Sequence, residues 1–146
     1  MITTTMQAQA QQTIAENVLK NTLLLIEALK DNYRQYSIRG HQRNLATFSD
    51  WDCSSYHQQK IDELKSGICP IDYQVETGKK YHKVIFVDGG GNRSVHCFID
   101  KNTGEVYKSA TWKSPAKGVR YDLRLIKDRE YLLENADWSG SYLYAR

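Results

Sequence analysis

The chain has 146 residues, 40% of them hydrophobic and 25% charged, with a formal net charge of +3 at pH 7. That size suits one domain with a core of its own, and a charge so near balance permits a polyanionic partner without demanding one. The longest apolar runs, LLLI at 23–26 and VIFV at 84–87, fall far short of the roughly 18 residues a membrane span takes, so no membrane partner is expected.

The first residues, MITTTMQAQAQQT, lack a basic segment followed by an apolar one. No secretory signal is therefore expected, and a cytoplasmic setting follows. Cys53, Cys69 and Cys97 form an odd set, which suits reduced thiols better than a disulfide framework.

Residues 1–13, rich in Thr and Gln, are predicted to be a flexible polar arm or a frayed helix start, ahead of a single α+β domain over 14–146. Ile14, Val18, Leu25, Leu29, Tyr33 and Tyr36 recur at helical spacing, with Leu24 and Ile26 beside them. They predict a long amphipathic helix from about Ala8 to Ile38, with Gly40 as its stop. The pattern is too short for a coiled coil, so the apolar face must meet a sheet or a partner.

A second, shorter helix is predicted in SSYHQQKIDELKSG, with Tyr56, Lys60, Ile61 and Leu64 on one side and Gly67 at its end. Asp50 or Asp52 would cap it, and Trp51 would pack beside it. From Ile71 the composition turns to β-branched and aromatic runs, IDYQV, YHKVIFV and SVHCFI, divided by the turn sequences DGGGNR and DKNTG. An antiparallel meander of about three to five strands follows, packed on the long helix. In DKNTG the Asp100 carboxylate is expected to accept turn N–H groups while Gly104 closes a bulged turn. That register pairs Ile99 with Val106 and Phe98 with Tyr107, on opposite faces. The tail is predicted to hold a helix within residues 122–136 and a short strand in SYLYAR.

Several constellations bear on chemistry. Gly89, Gly90 and Gly91, with Arg93 after them, invite a phosphate-loop reading, but no GxxxxGK[ST] or GxGxxG leads into a helix, and a hairpin turn explains them better. Cys53 and His57, with Cys69, His96 and Cys97, make one loose pair where structural zinc shows two, and His96 and Cys97 should point to opposite faces of a strand. No metal or cofactor is therefore predicted, and no catalytic motif is present.

The stretch TWKSPAKGVR is the strongest candidate site. Ser114 and Pro115 read as an N-cap and first helical position, exposing N–H groups near Lys113, Lys117 and Arg120, with Trp112 free to stack on a base. The bland alternative has Trp112 plugging the edge of the core above ordinary solvated lysines. Val95-His96, Phe98, Asp100, Thr103-Gly104, Tyr107-Lys108, Trp112, Pro115-Ala116-Lys117 and Arg120 together resemble a segment of small uncharacterised proteins of tailed bacteriophages, of the cyanobacterial phage type. The resemblance spans residues 94–124 and implies a phage accessory protein, which would act in the host cytoplasm.

The leading expectation is a non-enzymatic binding protein. It would engage an anionic partner, whether nucleic acid, a nucleotide or an acidic host protein, through Trp112, Lys113, Ser114, Lys117 and Arg120. A homo-oligomer assembled through the long helix and a small enzyme are the alternatives.

Overall fold

The apolar stripe of the first helix dominates the fold in the computed structural model, which describes residues 2–48 and 54–144. Helix α1, Ile2–Phe48, has 47 residues and is therefore roughly 70 Å long. Val18, Leu25, Ile26 and Leu29 are buried on one side of it. The Thr22 hydroxyl, also buried there, donates to the Val18 carbonyl at 2.8 Å and is thereby satisfied.

That stripe packs on a five-stranded antiparallel sheet in the order β1 (Asp72–Thr77), β2 (Tyr81–Val87), β3 (Arg93–Asp100), β4 (Glu105–Lys108) and β5 (Tyr121–Asp122). Tyr73, Val84, Cys97, Ile99, Val106 and Tyr121 supply the sheet's side of the core. Helix α3, Ile126–Asn135, adds Leu132, and a 3₁₀ turn at Ser141–Tyr144 adds Tyr142 and Leu143. The α+β architecture expected from the sequence is thus present, with one face of the sheet covered by helix.

The register expected for the DKNTG hairpin is the one observed. Phe98 pairs with Tyr107 and Ile99 with Val106. Asp100 Oδ1 accepts the Asn102 and Thr103 N–H groups at 2.9 and 3.1 Å, and Gly104, at φ +80°, closes the turn by donating to the Asp100 carbonyl. Ile99 and Val106 enter the helix-side core, while Phe98 lies on the outer face with Tyr81 and Tyr107.

Elsewhere the sequence reading needs correction. The first helix does not stop at Gly40. One glycine in a helix costs only about 1 kcal/mol, and packing against α2 (Ser54–Lys65) outweighs it. Ile38 and Leu45 meet Ile61 and Leu64, and His41 Nδ1 lies 2.8 Å from His57 Nδ1. Residues 5–13 extend the same helix and are exposed. Helix α2 ends as expected, with Gly67 at φ +101° and the paired bonds from Gly67 N–H to Leu64 and from Ile68 N–H to Glu63. The capping roles given to Asp50, Trp51 and Asp52, and the Cys53 half of the Cys53–His57 pair, fall outside the described residues. The tail forms the 3₁₀ turn where a strand was expected, and the last helix starts at Ile126.

No helix begins at Pro115. That residue instead makes a β-bridge with Ser109, and Ala116 N–H donates to the Lys108 carbonyl at 2.7 Å. Strand β5 pairs only with Glu105 and Val106, so the Lys108 end of β4 would otherwise be an open edge; Ala116 N–H covers it, and Arg120 N–H to the Val106 carbonyl leads the chain into β5.

Candidate functional site

The face of the sheet turned away from α1 carries the candidate site. Strand alternation puts Tyr81, Lys83 and Ile85 of β2 outward, and pairing lines up Glu76, Lys83, Phe98 and Tyr107 across four strands. Of these, Phe98 is buried, with Tyr81 edge-on at 5.7 Å and Lys83 Nζ 5.8 Å from its ring centre.

Trp112 reaches this face from the far side of β4. Residues 109–115 form a tight excursion closed by the Ser109–Pro115 bridge and by Ala110 and Thr111 N–H donating to the Ser114 carbonyl. At its tip Thr111 Oγ1 accepts the Lys113 and Ser114 N–H groups. The indole then stands 4.8 Å from Lys83 Nζ and 5.4 Å from Arg93 Cζ, with 41% of its surface still in solvent. Two cation–π contacts of about 0.5–1 kcal/mol each are enough to set the direction of an exposed ring.

Beside it opens a cleft of about 350 Å³, lined by Glu76 and Thr77, the turn Gly78, Lys79 and Lys80, then Tyr81, Lys83, Phe98 and Lys113. Four ammonium groups meet one carboxylate there. Glu76 is already held by Arg93 at 2.7 Å, so the lysines carry an unbalanced positive field. The other nearby acids are also engaged: Asp100 with its turn, and Glu105 with the Tyr107 hydroxyl at 3.1 Å. Lys101 Nζ donates to the Gly78 carbonyl and steadies the lysine-bearing turn.

The expected site residues therefore divide. Trp112 and Lys113 come together with Arg93, whereas Lys117 and Arg120 sit on the returning limb along β4 and do not line the cleft. Ser114 caps no helix; its hydroxyl meets Thr111 Oγ1 at 2.9 Å. The glycine turn is filled from within, because Asp88 Oδ1 accepts Gly90 and Asn92 N–H, both at 2.9 Å, and the Asp88 carbonyl takes Gly91 N–H. An internal carboxylate thus occupies the place an external phosphate would take; hydrogen bonds from Asn92 hold it below the usual carboxylate range. Lys79, Lys80 and Lys83 were missed by the sequence reading. Their signal was the pair KK in a turn followed by an outward Lys two residues into the strand after Tyr81.

Behind the site, a break in the β2–β3 register at Val84 and Ile85 makes His96 a bulged residue. His96 and Cys97 therefore share the helix side and do not alternate as expected. His96 Nε2 lies 2.7 Å from the Tyr142 hydroxyl, and its ring is edge-on to Tyr73 at 5.6 Å. Burial pushes the Cys97 thiol up to about 12, so it is an inert packing group. Among the described residues no three His, Cys, Asp or Glu side chains cluster as metal ligands, and no helix is long and apolar enough to cross a membrane.

Over residues 2–145 the chain matches the profile of a Family of unknown function (DUF7717), and it belongs to that family. No curated protein and no solved structure matches it.

Burial lowers His96 from 6.5 to about 4 by penalising the imidazolium. The unfolded chain takes up that proton near 6.5 and the folded chain only near 4. The stabilising contribution is thus complete above 6.5 and is lost as pH falls through that window, by about 3 kcal/mol in all. Burial lowers His41 and His82 too, which adds to the same slope. Urea unfolding across this range should show the loss, and His96→Gln should flatten it; equal slopes in the two proteins would contradict the assignment.

Proposed function

We propose that the protein is a non-enzymatic binding protein that takes single-stranded nucleic acid across the outer face of its sheet. The observation that carries this reading is the convergence of Lys79, Lys80, Lys83 and Lys113 on one cleft beside a half-exposed indole, with the only lining carboxylate already paired. Lysines supply counterion release along a phosphate backbone, and Trp112 supplies a stacking surface that tolerates any base. Nucleic acid places a planar base beside every phosphate, which matches an indole set beside lysines more regularly than a carboxylate surface does, so it suits the site better. Taken with the resemblance over residues 94–124, the setting is that of a phage accessory factor at work in the host cytoplasm.

Fluorescence anisotropy with a short single-stranded oligonucleotide checks this. Trp112→Ala should weaken binding by about 1–3 kcal/mol. Lys83→Gln and Lys113→Gln should each lower the slope of log affinity against log salt by about 0.7, while Lys117→Gln should leave it nearly unchanged. Affinity indifferent to salt, or to neutralising all four lysines together, would overturn the reading.

Self-association is a second reading, supported by Leu19, Leu23 and Leu24, which α1 leaves 39%, 49% and 42% exposed between Glu16, Lys20 and Glu27. An antiparallel pair of α1 helices that set Leu23 against Leu24 of a second copy would bring Lys20 opposite Glu27 of that copy, twice over by symmetry. Light scattering should then read a dimer that Leu23→Glu splits; a strict monomer at high concentration would dispose of it.

A further inference from the structure

A second cleft, of about 430 Å³, lies on the helix side of the molecule, between α1 and the segment that runs from the end of β5 into α3. Its α1 wall is the stripe Ile14, Asn17, Val18, Asn21 and Leu24, spaced so that amide and aliphatic side chains share one face, with Lys20 at the rim. Arg124 and Arg129 form the opposite wall.

The charge in this cleft is one-sided. No carboxylate lines it, and among the described residues none of Lys20, Arg124 and Arg129 makes an ion pair. Three neighbouring acids are engaged elsewhere: Asp122 Oδ1 accepts Arg124 N–H at 2.9 Å, Asp128 Oδ2 accepts Asp122 N–H at 2.9 Å, and Glu16 Oε1 accepts the Gln12 amide at 3.3 Å. The Asn17 and Asn21 amides likewise have no hydrogen-bond partner among the described residues. Three cations gathered without a counter-charge repel one another, and a bound anion removes that cost.

The backbone is shaped to hold the arrangement. Gly104 sits at φ +80°, and a Cβ there would come within 3.1 Å of Arg124 Cγ and 3.4 Å of Val18 Cγ2. A glycine takes this φ without strain and spares the Arg124 stem and Val18 a tight contact. Leu123 N–H donates to the Gly104 carbonyl at 2.8 Å and fixes the approach from the other side.

From this geometry we propose that the cleft binds a phosphorylated small molecule. Two guanidinium forks and an ammonium match a ligand of two or more negative charges, which favours a phosphate or diphosphate group over a single carboxylate. The volume exceeds what a bare phosphate fills and lies in the range of small-molecule pockets, while Ile14, Val18 and Leu24 offer an apolar floor for an organic portion. Asn17 and Asn21 would orient it through their amide hydrogens. The site is independent of the outer face of the sheet and shares no residue with it.

Titration with inorganic pyrophosphate at constant ionic strength, followed by calorimetry and by NMR of the Arg Nε–Hε and Asn side-chain signals, tests the proposal. Saturable binding should move the Arg124, Arg129, Asn17 and Asn21 signals and leave Trp112 still. Arg124→Gln and Arg129→Gln should each weaken it by tenfold or more, and Lys20→Gln, on an exposed helix position that folding does not depend on, should weaken it less. Lys65→Gln, on the exposed end of α2 and outside both clefts, should change nothing. Absence of saturable binding at millimolar pyrophosphate, or binding that Lys20→Gln and both arginine variants leave intact, would overturn the proposal.

Discussion

The burial of Val18, Leu25 and Leu29 of α1 against the inner face of the sheet is the contact on which the rest depends. Burying each of these side chains contributes about 1.5–3 kcal/mol, and together they fix which face of the meander is core. Strand alternation does the remainder: once Val84, Cys97, Ile99 and Val106 must point at the helix, Lys83, Phe98 and Tyr107 must point away. The covered face and the basic aromatic face are two consequences of a single choice of register.

That coupling explains how a chain of modest net charge presents a strongly positive patch. The acids are not absent; they are used internally. Asp88 and Asp100 close turns, Asp122 and Asp137 bind backbone N–H groups, and Glu76 holds Arg93. The lysines of the outer face make no ion pair among the described residues; Lys80 and Lys83 meet only ring faces. Charge is therefore segregated, with these carboxylates held by the backbone or by Arg93 and the ammonium groups facing the outer cleft.

Much of this was legible in the sequence where the determinant is local. The DKNTG turn specifies its own register, because an Asp that caps a turn and a Gly that closes it leave one pairing for Phe98 and Ile99. Helical spacing identified Val18, Leu25, Ile26 and Leu29 of the α1 stripe for the same reason, although Leu24 and Tyr36, read onto the same face, are exposed. The misses share the opposite property. Gly40 continues a helix because α2 packs beyond it, and Pro115 is extended because β4 needs an edge partner. His96 turns inward because the register of two strands breaks beside it. Each is decided by a neighbour distant in sequence. Lys79, Lys80 and Lys83 belong with Lys113 only after the chain between them is folded, so local reading found one half of the cleft and assigned it Lys117 and Arg120 as companions.

Helix burial on one side of the sheet leaves its basic aromatic side uncovered, and the proposed nucleic-acid binding rests on that exposure. Isotope-labelled protein titrated with a single-stranded oligonucleotide tests this most directly by NMR. The Trp112 indole and the backbone amides of Lys79, Lys80, Lys83 and Lys113 should move together and saturably, while the buried stripe of α1 stays fixed. Movement confined to α1 or to the Arg124 and Arg129 cleft, or none at all, would contradict it.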